Sequence, residues 1–72
     1  MLDDDKILNI PDIAVRTCKP EGTIRWYRHR QTAGYDEGPR MFKLGRTVVA
    51  KASDVDAWIE RQYAEAAKSV SA

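Results

Sequence analysis

Proline and glycine positions limit the fold of this chain more than anything else in it. Pro20 separates two short apolar-periodic segments. Gly34, Gly38 and Pro39 crowd into "AGYDEGPR", and Gly45 divides two runs of strand-forming residues. Inside a helix, proline costs about 3 kcal/mol and glycine about 1 kcal/mol relative to alanine. Only short elements therefore fit before Gly45, and a long helix fits only after it. A chain of 72 residues cut in this way is one small domain. Folding at this size buries only ~60% of the surface of the unfolded chain, so the core is thin.

Each interval between breakers has a distinct pattern. "LNIPDIAVRTC" reads as a short first helix: Asn9 caps it, Asp12 is the return arm of a capping box, and Pro11 is tolerated in the first turn. Its apolar stripe is Ile10, Ile13, Ala14 and Cys18, with Cys18 as a buried small hydrophobe. Pro20 at the first helical position and Glu21 in the first turn start a second helix, which runs to about Thr32. Two short helices joined by a tight connection form a helix-turn-helix pattern.

"MFKLGRTVVAK" reads as a β-hairpin with Gly45 in the turn. A two-residue turn pairs Leu44 with Thr47. A three-residue loop pairs Leu44 with Val48 and Phe42 with Ala50, and it is preferred here because it gathers four apolar side chains on one face. In either register Arg46 sits at the tip and Lys43 points away from Phe42 and Leu44. "SDVDAWIERQYAEAAK" is the third helix. Ser53 caps it, Asp56 completes a capping box, and Asp54 sits in the first turn. Val55, Trp58, Ile59, Gln62 or Tyr63, and Ala66 form its inner stripe.

Composition bounds the class. Hydrophobic residues make up 43% of the chain and charged residues 32%, which suits a soluble globular domain. No apolar run approaches the ~20 residues of a membrane span. The acidic start, MLDDDK, is unlike a secretory signal, and a lone Cys18 forms no internal disulfide, so a cytoplasmic setting is expected. Asp3, Asp4 and Asp5 are read as a solvated charge run rather than a cation site. One Cys and one His do not make a zinc set, and no catalytic constellation is visible. No metal, no cofactor and no enzymatic activity are expected.

The net charge is only +1, but it is unevenly spread. From Arg16 to Lys51 there are nine Lys/Arg and three Asp/Glu, while both flanks are net acidic. A basic middle is the electrostatic footprint of a nucleic-acid-binding region. On a helical wheel of "TIRWYRHRQ", Ile24, Tyr27, Arg28 and Gln31 share the side that faces the core. Arg25, Trp26 and His29 share the outer side, with Arg30 at its margin. Gly22 leaves that side open to another backbone. An all-positive face with an outward indole suits DNA: guanidinium groups grip phosphate and read guanine edges, and indole packs on sugar or a thymine methyl.

These residues carry a resemblance. "TIRWYRHR" resembles the "T-[L/I]-R-Y-Y" run of mercury-resistance-regulator (MerR-type) winged helix-turn-helix domains, with Trp26 in place of the first Tyr. The set Leu8, Ala14, Thr23, Ile24, Tyr27, Leu44-Gly45-Arg46, Ser53-Asp54-Val55 and Ala57-Trp58-Ile59 is similar to the pattern of phage excisionases and small AlpA-like regulators. It covers roughly residues 7 to 62. Asn9 and Asp12 depart from the usual Thr and Glu, and the "AGYDEG" linker is longer and more acidic than in the shortest members.

The resemblance implies an α+β, mostly α fold: two short helices, a two-stranded hairpin wing and a C-terminal helix. The domain would span residues 7–67, between a mobile acidic lead (1–6) and a frayed end (68–72). It implies DNA contacts by Thr23, Arg25, Trp26 and His29 on the recognition helix and by Lys43 and Arg46 on the wing. From the basic middle of the chain, Arg28 and Arg30 on the helix and Arg16, Lys19, Arg40 and Lys51 on the flanks join them as candidate DNA contacts. The implied role is a recombination directionality factor that binds repeated attachment sites in double-stranded DNA. It would assemble head-to-tail with other copies, bend the DNA and steer a phage integrase towards excision. No small-molecule effector region and no membrane contact are expected. Two other readings stay open at this point: an AlpA-like transcriptional regulator, and a protein-interaction module whose basic face meets an acidic partner.

Overall fold

A computed structural model describes residues 5–71, with side chains described as far as residue 68. The described chain is a small, mostly helical α+β unit. Its elements are β1 (Ile7–Asn9), α1 (Ile10–Thr17), α2 (Glu21–Thr32), β2 (Phe42–Leu44), β3 (Thr47–Lys51) and α3 (Ala52–Ser71). The strands form one antiparallel sheet in the order β1-β3-β2.

The third strand, β1, lies in a segment whose sequence reads as the approach to a helix. Leu8 is buried between two exposed neighbours and pairs with Ala50 of β3. Three residues are too few for a strand period to show in sequence. Asn9 then serves two elements: it ends β1, and its Oδ1 accepts the Asp12 N–H at 2.9 Å, capping α1. This half of the expected capping box is present.

α1 ends at Cys18, which holds a left-handed backbone (φ 59°, ψ 35°) without being glycine. The Cys18 and Lys19 N–H groups return to the carbonyls of Val15 and Ala14, closing the helix in a Schellman arrangement. The expected buried Cys18 is corrected here, because its side chain is exposed at the cap. α2 starts one residue later than predicted. Pro20 has extended geometry and is the N-cap; its carbonyl accepts the N–H groups of Thr23 and Ile24.

Ile13, Ile24 and Val55, one from each helix, are fully buried. Leu8, Ala14, Met41, Ala50 and Ala52 complete the cluster, with Tyr27, Val48 and Ile59 packed against it. Tyr27 meets Trp58 edge-on at 5.8 Å between ring centroids. The loop after α2 is tied down by one side chain. Gln31 donates to the carbonyls of Glu37 (2.6 Å) and Pro39 (2.7 Å) and accepts the Met41 N–H (3.3 Å). Gly38 has φ +76°, and a Cβ there would lie 2.5 Å from the Tyr27 ring. Backbone conformation and space therefore both require glycine at this position.

The hairpin takes the two-residue turn. Leu44 pairs with Thr47, Lys43 with Val48 and Phe42 with Val49, so the three-residue register expected from sequence is wrong. Directly paired residues share a face. Phe42 and Leu44 therefore lie on the side opposite Val48 and Ala50, and Leu44 is exposed. Two features decide the register. Gly45 supplies a positive φ (67°) at the first turn position, and Leu8 on β1 pairs with Ala50 on the core face. Met41, not Phe42, fills the core beside the sheet.

α3 begins at Ala52, and its cap comes from far away in the sequence. Asp5 accepts the Ser53 N–H and hydroxyl, each at 3.0 Å, and the Lys6 carbonyl accepts the Ala52 N–H at 2.8 Å. Asp5 and Lys6 are thus bound, although sequence puts them in a free lead; the rest of that lead, residues 1–4, lies outside the described residues. Ser53 is a ligand of the cap and not the cap itself. Asp56 pairs with Arg16 and does not complete a capping box. The inner stripe of α3 ends at Ile59. Gln62, Tyr63 and Ala66, expected inside, are exposed, Tyr63 at 73%. The periodicity continues along the helix, but the body of the domain has run out. α3 runs on to Ser71, past the expected fraying point at 68.

Candidate nucleic-acid interface

α2 presents its outer side to solvent because Ile24 and Tyr27 commit the other side to the core. Gly22 opens onto free space, and His29 is exposed. Two differently built flanks lie on either side of this ridge.

On one flank, Arg25 and Arg28 of α2 and Arg46 of the hairpin turn line a single open groove of about 500 Å³. Asn9 and Pro11, at the start of α1, line it from below, and Thr47 and Val48 close it on the hairpin side. Arg25 is paired with Glu21 one turn earlier at 3.2 Å, but both side chains are well exposed (63% and 47%). Such a solvated pair is worth a few tenths of a kcal/mol, on the order of 0.3–0.5. An incoming anion can therefore displace Glu21 at small cost. Arg28 donates one N–H to the Met41 carbonyl at 3.2 Å, which steadies its stem at the core margin. The positive end of the α1 dipole adds to the guanidinium charges.

On the other flank, Arg30 is held by an acid and two rings. Its Nη2 and Nε donate to Glu37 at 2.8 and 3.3 Å, and these side chains are only 31% and 35% exposed. Its guanidinium lies over Tyr35 at 3.9 Å and over Trp26 at 5.0 Å. Hydrogen bonds from Arg30 hold the Glu37 carboxyl below the usual carboxylate range, and the same bonds raise Arg30. Trp26 and Tyr35 remain half exposed.

The other basic residues are scattered. Arg16 is held by Asp56 (2.9 and 3.3 Å) on the α1–α3 side. Lys19 lies in a separate cleft with Tyr27, Trp58 and Gln62. Arg40 and Lys51 share a third hollow with Phe42, Asp5 and Asp54, so its lining mixes both signs of charge. Lys43 is exposed on the hairpin, and Thr23 is half buried in the first turn of α2. Of the twelve basic, polar and aromatic residues picked out by sequence, the groove gathers Arg25, Arg28 and Arg46.

Asn9, Pro11 and Thr47 were not picked out, because only the folded sheet brings the start of α1 to the hairpin tip. Tyr35 and Glu37 were also missed. Their signal was present in "YDEG", where an acid and an aromatic lie just past a basic helix end. Among the described residues, no group of three or more His, Cys, Asp or Glu side chains is placed to hold a metal. Nor is any described helix long and apolar enough to cross a membrane.

No protein-family model, curated protein or solved structure matches this chain.

Proposed function

We propose that this chain is a sequence-specific DNA-binding module of the winged helix-turn-helix kind, with an excisionase-like role. It binds and bends attachment-site DNA and so directs an integrase towards excision. One observation carries the DNA-binding part: three guanidinium groups from two separate elements surround one open groove beside an outward helix face. A helix face with a basic groove at its side suits a duplex, because base edges and backbone phosphates are presented at adjacent positions. On this reading α2 enters the major groove, and the hairpin turn holds the neighbouring backbone through Arg46. The recombination role rests on the resemblance of "TIRWYRHR" and "SDVDAWIE" to the excisionase pattern. It brings with it neighbouring copies on repeated sites, an integrase partner and action on DNA in the bacterial cytoplasm.

Gel shifts on attachment-site duplexes at several salt concentrations test the reading. Each neutralised phosphate contributes about −0.9 to the slope of log K against log salt. Arg46→Ala is expected to reduce the slope by about that amount. Salt-insensitive binding, or an unchanged slope in Arg46→Ala, would remove the groove from the interface. An excision assay with integrase then separates recombination from promoter control: binding without any effect on excision favours an AlpA-like regulator.

A further inference from the structure

Trp26 and Tyr35 are two half-exposed rings that share the Arg30 guanidinium, which lies over them at 5.0 and 3.9 Å from the ring centroids. Two donors of that guanidinium are occupied by Glu37. The formal charge of the unit is therefore cancelled, and a phosphate arriving there would meet the Glu37 carboxylate. What the unit offers a partner is aromatic surface. Trp26 follows Arg25 directly in α2, about 100° further round the helix. A duplex that engages Arg25 therefore also passes the indole.

We propose that the Trp26–Arg30–Tyr35 stack is a contact surface for the apolar parts of duplex DNA, thymine methyl groups or deoxyribose, and that Arg30 is its positioning residue rather than a phosphate ligand. This rests on the DNA-binding reading above. Thymine is the only base with a methyl group in the major groove, and a half-exposed indole on α2 can pack on it. A loose indole would lose rotamer freedom on binding; one already braced by a guanidinium and by the Tyr27 ring at 6.0 Å loses less.

The test has three parts. In the free protein, the indole N–H NMR signals of Trp26 and Trp58 are compared between wild type and Arg30→Met, which keeps the stem and removes the fork. The Trp26 signal is expected to shift while that of Trp58 stays. An unmoved Trp26 signal overturns the positioning role, whatever DNA does.

In salt titrations on a bound duplex, Arg30→Met combined with Glu37→Gln, which keeps the unit neutral, is expected to weaken binding on the order of tenfold with the slope unchanged. A slope reduced by about 0.9, as expected of Arg46→Ala, makes Arg30 a phosphate ligand and overturns the proposal. Affinity and slope both unchanged overturn it as well.

Last, deoxyuridine replaces thymidine through the site. A loss of affinity in wild type that is absent in Trp26→Ala identifies the methyl group as the partner. No loss with deoxyuridine, together with a weakened Trp26→Ala, identifies the sugar. Trp26→Ala binding as well as wild type overturns the surface. A wild-type protein that binds no duplex overturns the DNA-binding reading and this surface together, while the NMR comparison still decides whether Arg30 positions Trp26.

Discussion

The two flanks of α2 use the same side chain in opposite ways. Arg25 and Arg30 are five residues apart on one helix, and each has a glutamate partner. Arg25 meets Glu21 on an open surface, through one contact between two exposed side chains. Arg30 meets Glu37 through two contacts, lies over two aromatic rings, and reaches a loop that Gln31 holds in place. The first pair leaves its charge available, and the second cancels it. The difference lies in the number of other contacts that hold each pair, since the charges are the same.

That contrast can be broken most severely at Gly38, which lets the closed flank form. Gly38→Ala adds left-handed backbone strain to overlap with the Tyr27 ring, and a loss of about 3 kcal/mol is expected. Urea denaturation measures it; a variant as stable as wild type would show that the loop is not seated on Tyr27. Next comes the open flank. Arg25→Ala is expected to weaken duplex binding by about 1–3 kcal/mol while changing fold stability by less than about 0.5 kcal/mol. Fluorescence anisotropy and thermal melting read the two quantities separately. Loss of stability without loss of binding would reverse the roles assigned to the flanks.

Acid separates the flanks more gently. The carboxyl of Glu37 is depressed by its hydrogen bonds from Arg30, and that of Asp5 by the Ser53 N–H and then by the Ser53 hydroxyl. A carboxyl whose folded value lies below its unfolded value stabilises the fold at every pH above the unfolded value, about 4. That contribution is lost as pH falls through the folded value. Melting curves are therefore expected to shift downwards below about pH 4, and less so in Glu37→Gln. An identical acid profile in the variant would place the sensitivity elsewhere. The smallest effect is expected of Glu21→Gln, which frees Arg25 from a solvated partner. Binding is expected to tighten by no more than about 0.5 kcal/mol, and weaker binding would mean that Glu21 orients Arg25 for the duplex.

Much of this architecture can be read from local chemistry. Asn9 as a cap, Pro20 as a boundary, the end of α2 at Thr32 and the partition of Ile24 and Tyr27 into the core all follow from neighbours within a turn or two. What escapes such reading is set over long separations. β1 exists because Leu8 finds Ala50, and the start of α3 is capped by a carboxylate 48 residues earlier. The hairpin register is set in the same way. An isolated hairpin would gather Phe42, Leu44, Val48 and Ala50 on one face, but Leu8 of β1 pairs with Ala50 and claims the inner face.

The candidate site divides in the same way. The wheel separated Arg25, Trp26 and His29 from the core side correctly, since α2 is regular. It could not show that Arg46 would come round to Arg25, or that Arg30 would be taken by Glu37. Arg16, Lys19, Arg40 and Lys51 share the basic stretch of sequence but not the groove. A run of positive charge along a chain is therefore a poor guide to a patch of positive charge on its surface.

α3 has one more consequence. Every residue from Glu60 to Lys68 is exposed, and the helix continues to Ser71. Past the cleft that Gln62 lines, the stretch from Tyr63 to Ser71 forms a strut about 13 Å long at 1.5 Å per residue. The helix-favouring residues of "YAEAAK" stiffen it. Heating should slacken the strut gradually before the rest melts in one step. A fluorophore placed at its end would report that early loss of stiffness as faster tumbling than the domain itself.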